Sequence, residues 1–358
     1  MRTAHAAAMR YLISLCTALA AATIAGVFCS GCSAPLSAIP APGSTAPAPR
    51  LSQLGLFEGE LAAQRPRAGV VAYDVNASLY AGGAHKQRFV LAPPGARIAV
   101  NADRWQAPVG TYFVKTFSFP VDERNPQLGE WLVETRFLIR TKNGFDAATY
   151  VWNDAQTDAF ASPGDLDVPV SWLDAAGVRR DQRFHVPSAA QCVTCHQGRA
   201  LGWSSRQLDH RATYSDGSTD QIQHLLTLGV IDARPSAHAA LVDPFGAAPL
   251  ELRARSYLDA NCGHCHGQGG SAEGTDLFWG FEHTGAGELP ACRATRDVDG
   301  RDRVLVPGHP DQSEFLARMR SERPRVHMPR GPVQSLDQAG IALLSAWVSS
   351  LPSAVCTD

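Results

Sequence analysis

The chain has 358 residues, of which 45% are hydrophobic and 18% are charged, an ordinary globular composition. Its 32 basic and 34 acidic residues give a formal net charge of −2, which provides no support for nucleic-acid binding. This length suits two or three folded domains.

Residues 1–32 have the organisation of a bacterial signal peptide. Arg2 and Arg10 provide a positive region, and residues 11–28 are apolar or small. The sequence Ser30-Gly31-Cys32 resembles a lipobox, although Cys29 stands where Leu is usual. We therefore expect export to the periplasm or cell envelope, with Cys32 lipidated to anchor the protein to a membrane. An uncleaved anchor is the alternative, since the apolar stretch is just long enough to span a bilayer.

A linker at residues 33–50, rich in Pro, Ala and Ser, is predicted to be an extended tether. The next segment, 51–186, is predicted to be a β-rich domain. Its strand signals are short β-branched and aromatic runs at 87–91, 97–100, 111–119, 131–140, 147–152, 168–173 and 178–186. Asn143-Gly144 predicts a hairpin turn between two of them. Many short strands with frequent turns favour an antiparallel sandwich or barrel, and no catalytic constellation is visible in this segment.

The first informative motif is Cys192-Val193-Thr194-Cys195-His196. The C-x-x-C-H spacing lets two thiols bond to the vinyl groups of one haem, with the following histidine as proximal iron ligand. We therefore expect Cys192 and Cys195 to attach a haem c and His196 to bind its iron. Ser188 is predicted to cap the helix that carries the motif, and 219–228 is predicted to be a second helix.

The second motif, Cys262-Gly263-His264-Cys265-His266, has the same spacing. It predicts a second haem c, attached through Cys262 and Cys265, with His266 as proximal ligand. An amphipathic helix at 249–261 leads into it. Three alternatives for the four cysteines are one zinc site, a thioredoxin-like redox pair and two plain disulfides. The long separation of the pairs and the histidine after each pair favour haem over all three.

The sixth iron ligands are less well specified by the sequence. Residues 246–358 are predicted to contain, in this order, a helix with the haem motif, a loop with Met328-Pro329 and a terminal helix. This order resembles that of a monohaem cytochrome c domain. This resemblance implies Met328 as the sixth ligand of the second haem, with His327 as the alternative and Met319 as a core residue. No methionine lies between Cys195 and Cys262, so the first haem has no assigned sixth ligand. The nearby options are His185, His210, His224 and His238.

Two further features concern the C-terminal part. Cys292 and Cys356 are the remaining cysteines of the mature chain, and an exported protein rarely leaves thiols free, so we expect them to form a disulfide. The terminal helix is predicted to begin with a capping box formed by Ser335 and Gln338. Its buried stripe is predicted to contain Ile341, Leu344, Val348 and Leu351.

Several short segments of the chain together resemble a group of bacterial proteins that join a β-rich N-terminal domain to two haem c sites. The segments are Pro108-Val109-Gly110-Thr111, Val114-Lys115-Thr116-Phe117, Glu134-Thr135-Arg136, Tyr150-Val151-Trp152-Asn153, Pro187-Ser188, Gln191-Cys192, Arg255-Ser256-Tyr257-Leu258-Asp259, Asn261-Cys262 and Pro307-Gly308. The resemblance covers most of residues 70–350. It implies an exported dihaem cytochrome and supplies no substrate.

The expected fold is therefore α+β. An N-terminal antiparallel β-sandwich-like domain is followed by two α-helical cytochrome c-type haem domains, at 187–245 and 246–358. The expected function is one-electron transfer through two haems c, with other redox proteins as donor and acceptor and no nucleic-acid partner. The alternative is a dihaem peroxidase- or oxidase-type enzyme in which the first haem keeps an open coordination position.

Overall fold

The computed structural model describes residues 48–101, 105–214, 217–283, 288–330, 335–353 and 356. These residues belong to one compact unit, Leu36–Asp358. The predicted signal peptide, with Cys32, and nearly all of the predicted linker lie outside the described residues. Within the described part of the chain, no helix combines the length and the apolar character needed to cross a bilayer.

Fourteen strands are present in the described residues, and six of them form one antiparallel sheet. The strands are β1 (Phe57–Glu58), β2 (Arg65–Pro66), β3 (Val71–Tyr73), β4 (His85–Leu91), β5 (Tyr112–Pro120), β6 (Glu130–Thr141), β7 (Gly144–Trp152), β8 (Ala159–Ser162), β9 (Leu166–Leu173), β10 (Arg179–Val186), β11 (Arg211–Tyr214), β12 (Gly217–Asp220), β13 (Ala294–Val298) and β14 (Arg301–Arg303). The large sheet has the order β3-β4-β5-β6-β7-β8, and the other strands pair as four two-stranded sheets.

Six predicted strand segments coincide with strands of the structure, and the Asn143-Gly144 turn joins β6 to β7 as expected. The segment at 97–100 is the exception. It forms only isolated bridges, one between Ile98 and Ile231 and one between Ala99 and Gln106. Its apolar residues are buried by packing against a neighbouring loop rather than by strand pairing, and sequence pattern cannot distinguish these two outcomes.

The two faces of the large sheet are covered by different parts of the chain. On one face, Val114, Phe137 and Tyr150 pack against the N-terminal residues Leu51 and Leu54. On the other face, the sheet residues Val90, Phe113 and Leu138 pack against apolar side chains that follow the first C-x-x-C-H motif. These are Trp203, Leu208, Ile222, Leu225, Val230 and Ile231.

Six α-helices are present in the described residues, and all are short. They are α1 (Ala189–His196), α2 (Ser205–Leu208), α3 (Gln221–Thr227), α4 (Leu250–Leu258), α5 (Glu314–Arg320) and α6 (Gln338–Ser350). Ser188 caps α1 as predicted, since its hydroxyl accepts a hydrogen bond from the Gln191 amide. The predicted capping box of α6 is wrong. Asp337 caps this helix by accepting from the Gly340 amide at 2.8 Å, while the Ser335 hydroxyl lies 3.1 Å from the Tyr80 hydroxyl.

The helices α4, α5 and α6 pack around a separate apolar cluster. Tyr257 and Leu258 of α4 meet Leu344, Trp347 and Val348 of α6, all nearly inaccessible to solvent. A disulfide between Cys292 and Cys356, the pair expected from the sequence, connects the end of the chain to the loop before β13.

The prediction of two α-helical cytochrome c-type domains is wrong. About 30% of the residues lie in strands and 24% in helices, and the longest α-helix has 13 residues. The segment after the first motif has no core of its own, because its apolar residues complete the core of the large sheet. The β-rich part likewise contains one six-stranded sheet with small two-stranded sheets beside it, in place of the expected sandwich.

Candidate functional site

A cavity of about 1030 Å³ lies where the large sheet meets both C-x-x-C-H motifs. This volume is at the upper end of the roughly 300–1,000 Å³ range of small-molecule and cofactor sites. One wall is the sheet face that carries Phe113, Lys115 and Phe117. The opposite walls come from α1, from the second motif and from the loop that contains Met328.

The first motif lies on the cavity wall with its reactive groups. Cys192, Cys195 and His196 all line the cavity, and Cys192 is 5% exposed. Both thiols are free of disulfide bonds. Because the Ser188 cap starts α1 just before the motif, one helical turn places the two thiols and the imidazole on neighbouring positions of the wall.

The imidazole of His196 is oriented by its own loop. Its Nδ1 lies 2.9 Å from the carbonyl oxygen of Arg199, so Nδ1–H donates and Nε2 carries the free lone pair. Burial, with a smaller contribution from Lys115, lowers the pKa of His196 to about 3. The ring is therefore neutral at physiological pH, as a metal-binding imidazole must be.

The second motif has a matching arrangement. Nδ1 of His266 lies 3.3 Å from the hydroxyl oxygen of Thr275, and this hydroxyl donates to the carbonyl oxygen of Ala272 at 2.6 Å. The Thr275 oxygen can therefore accept from Nδ1–H, which leaves Nε2 of His266 available to a metal. Burial lowers the pKa of His266. Gly263, His264 and Gly267 line the large cavity, whereas Cys262, Cys265 and His266 do not.

A tight loop shapes the second motif. The helix α4 ends at Leu258 and is followed by a π-helical turn, Asp259–Gly263, that delivers Cys262. At Gly270 a Cβ atom would lie 2.1 Å from the carbonyl oxygen of Cys265, so only glycine fits there. The glycine-rich sequence thus allows this loop to close on its own backbone.

The fold brings the two motifs together. Arg199, which follows the first motif, donates from Nη2 to the carbonyl oxygen of Gln268, which follows the second, at 3.1 Å. Burial raises the pKa of the Cys195 thiol, and the nearby Cys265 adds to this effect. The described residues contain no group of three or more His, Cys, Asp or Glu side chains placed to hold one metal ion.

Met328 also lines the cavity. Its amide donates to the carbonyl oxygen of Arg318 at 3.2 Å. The positive charge of Arg318 also lowers the pKa of His266, although burial is the larger cause of that shift. Met328 and His266 are thus both neighbours of Arg318. His327, the alternative ligand, has its Nδ1 2.8 Å from the carbonyl oxygen of Ser321. Met319 is 5% exposed and belongs to the helical core, as predicted.

Of the four histidines considered for the first motif, only His185 lines the cavity. Its Nδ1 lies 2.9 Å from Oδ1 of Asp167, and its buried Nε2 lies 3.7 Å from Oδ1 of Asp165, without a hydrogen bond among the described residues. By contrast, His224 stacks on Tyr214 with ring centroids 3.9 Å apart. A carboxylate behind one ring nitrogen is the usual support of a metal-binding histidine.

The cavity is strongly basic although the whole chain is slightly acidic. Among the described residues, its wall has nine basic side chains and three acidic ones. The basic ones are Lys86, Arg88, Lys115, Arg136, Arg140, Arg183, Arg199, Arg206 and Arg330, and the acidic ones are Asp259, Glu282 and Asp337. Burial, then Arg88 and Arg136, lowers the pKa of Lys115 to about 7. This concentration of charge is not visible in the sequence, because its members are far apart in the chain.

Comparison with protein-family models, with curated proteins and with solved structures finds no match to this chain. The resemblance to dihaem proteins with a β-rich N-terminal domain therefore stays a prediction from the sequence.

Proposed function

We propose that this chain is an exported dihaem c-type cytochrome that transfers electrons one at a time. The observation that carries the proposal is the meeting of the two C-x-x-C-H motifs beside one cavity, with Arg199 bonded to Gln268 across them. Electron transfer between two redox centres needs short separation, and this contact places the two attachment sequences side by side.

The residues present fit a covalently attached haem at each motif. Each C-x-x-C pair has free thiols, and each following histidine has its Nδ1 directed to a protein oxygen. This orientation presents Nε2, the usual iron-binding atom of a proximal histidine. When bound, haem supplies the one-electron ferric–ferrous couple. The cavity volume and its apolar contacts, Phe113 and Phe117 among them, suit a large flat ligand.

The chain's own residues would set the properties of each centre. We propose Met328 as the sixth ligand at the second motif, because Met328 and His266 are both neighbours of Arg318. A thioether ligand opposite histidine raises the reduction potential. A different sixth ligand at the first motif would give the two centres unequal potentials and a direction to the transfer.

The cellular setting follows from the N-terminal sequence. The positive region, the apolar stretch and the Ser30-Gly31-Cys32 ending support export and lipidation of Cys32. Other redox proteins of the cell envelope would then donate and accept the electrons.

A second function, a peroxidase- or oxidase-type enzyme, is favoured by one observation. The cavity beside His196 is large enough to admit a small substrate next to an open coordination position. His185 decides between the two functions. If its Nε2, which makes no hydrogen bond among the described residues, binds the iron, the first haem is six-coordinate and suited to electron transfer; if not, an open position remains.

A redox titration of the purified protein, followed by optical and magnetic spectra, tests the proposal. We expect two covalently bound haems per chain, both low-spin and six-coordinate, with different midpoint potentials. A high-spin ferric centre with peroxide turnover would favour the enzyme instead. A colourless protein from a host that matures c-type cytochromes would overturn both functions.

A further inference from the structure

Three basic residues form a row across the centre of the large sheet. The register pairs Arg88 of β4 with Lys115 of β5, and Lys115 with Arg136 of β6. Residues directly opposite one another on antiparallel strands project to the same face, so all three side chains point into the cavity that they line. With strands about 4.8 Å apart, the row extends over roughly 10 Å. We call these three residues the cation row.

Like charges directly opposite one another destabilise a sheet, so a cation row requires an anion nearby. The two outer members have carboxylate partners. Nη1 of Arg88 donates to Oδ1 of Asp74 at 2.7 Å, and Arg136 makes two hydrogen bonds to Glu134, at 2.8 and 2.7 Å. The central residue differs. Among the described residues, the side-chain ammonium of Lys115 has no hydrogen bond and no ion pair.

The cation row and the first motif share one cavity. Cys192, Cys195 and His196 line it from α1, while Arg88, Lys115 and Arg136 line it from the sheet. A macrocycle held by Cys192 and Cys195 would therefore lie in this cavity. Its two propionates are on the ring edge opposite the two thioether bonds, so they would extend away from α1 into the cavity, and they are the anions that such a ligand provides.

We propose that the cation row is a carboxylate-binding site that receives the propionates of the haem attached at Cys192 and Cys195. This inference rests on the proposed dihaem function. Lys115 supplies the charge that lacks a protein partner, while Arg88 and Arg136 are fixed by their own carboxylates and present their remaining N–H groups. A free dicarboxylate is the other source of the same chemistry.

The test compares the wild-type full-length holoprotein with four variants. Lys115→Gln removes the central charge, Lys115→Arg keeps it, and Lys142→Gln makes the same chemical change at an exposed residue of the β6–β7 turn, outside the cavity. Arg88→Gln is a second variant that removes a charge from the row. The measurements are haem content, midpoint potentials, and the propionate-bending band in the resonance Raman spectrum.

We expect Lys115→Gln and Arg88→Gln to lower the midpoint potential of one haem and to shift its propionate band, since loss of a positive charge favours the ferric state. The second haem should keep its potential. Lys115→Arg and Lys142→Gln should match the wild type, and all forms should retain two haems.

Three outcomes would contradict the inference. Wild-type potentials and Raman bands in both charge-removing variants would overturn it. A spectral response of the wild type to added succinate, lost in Lys115→Gln, would assign the row to a free dicarboxylate instead. Absence of haem from the wild type would overturn the proposed function itself, before any variant is compared.

Discussion

Arg199 contacts both motifs, the first through its backbone carbonyl and the second through its side chain. Its carbonyl oxygen lies 2.9 Å from Nδ1 of His196, and its Nη2 donates to the carbonyl oxygen of Gln268, 3.1 Å away. The residue therefore orients the imidazole of the first motif and at the same time contacts the loop of the second. The side chain can be changed without removing the backbone carbonyl that orients His196.

Arg199→Ala should weaken the contact between the motifs while both haems stay attached. We expect a loss of about 0.5–1.5 kcal/mol in the free energy of unfolding, the usual value for one hydrogen bond. Loss of one positive charge beside both motifs should also lower the midpoint potentials, as measured by redox titration. Arg199→Lys keeps the charge and should leave the potentials near the wild-type values. An increase in either potential after Arg199→Ala would contradict this prediction.

Met328→Ala should abolish the near-infrared charge-transfer band of methionine-ligated ferric haem and lower the potential of one centre. The reason is the loss of the thioether ligand that raises the potential. Met319→Leu is the matched control, because Met319 lines the same cavity but packs in the core around α4, α5 and α6. This volume-conserving change should cost less than about 1.5 kcal/mol and preserve the band. An unchanged near-infrared spectrum in Met328→Ala would show that another residue is the ligand.

Glu134→Gln should be strongly destabilising. The Glu134 side chain is completely buried and accepts two hydrogen bonds from Arg136, whose side chain is 20% exposed. Removing one partner of a buried ion pair leaves the other charge without compensation. We therefore expect the free energy of unfolding to fall by about 3 kcal/mol. Asp181→Asn, which breaks an exposed pair with Arg179 at the same two-residue spacing, should have no measurable effect. Equal results for the two variants in chemical denaturation would refute the argument from burial.

Asp259 should make stability depend on pH in the acid range. Burial raises the pKa of this carboxyl from 3.8 to about 6. Between these values the folded protein keeps a proton that the unfolded chain loses, so stability should fall as pH rises from 3.8 to about 6. Asp259→Asn should remove this decrease, whereas Asp146→Asn, at an exposed position of β7, should retain it. Unfolding curves at several pH values that are identical for wild type and Asp259→Asn would contradict the assignment.

Replacing both Cys292 and Cys356 by Ser should lower the free energy of unfolding by about 2–4 kcal/mol. The disulfide closes a loop with a sequence separation of 64 residues, and its loss releases chain entropy in the unfolded state. Neither cysteine belongs to a C-x-x-C-H motif, so the haem content should stay at two per chain. Reduced haem content in the double variant would show that the disulfide also supports haem attachment.

Local patterns predicted much of this molecule correctly. Asn143-Gly144 marks a hairpin because its turn conformation suits few other residues, and Ser188 with Gln191 marks a helix start because the cap forms within four residues. The prediction of helical haem domains failed for a different reason. An amphipathic stripe such as Ile222 and Leu225 has the same spacing whether it packs on helices or on a sheet, and here it packs on the sheet.

The sequence by itself determined the local chemistry: two C-x-x-C-H motifs, Met328 before Pro329 and a pair of cysteines for one disulfide, and it predicted export from residues 1–32. The motifs and the export pattern are readable because each depends on residues close together in the chain. The disulfide spans 64 residues and was predicted because its two cysteines were the ones left to pair. Tertiary structure alone decided that the motifs meet, that His185 lines the cavity and that Arg88, Lys115 and Arg136 stand in a row. These relationships depend on strand register and on packing between distant segments, and residues far apart in the chain carry no local signal of either.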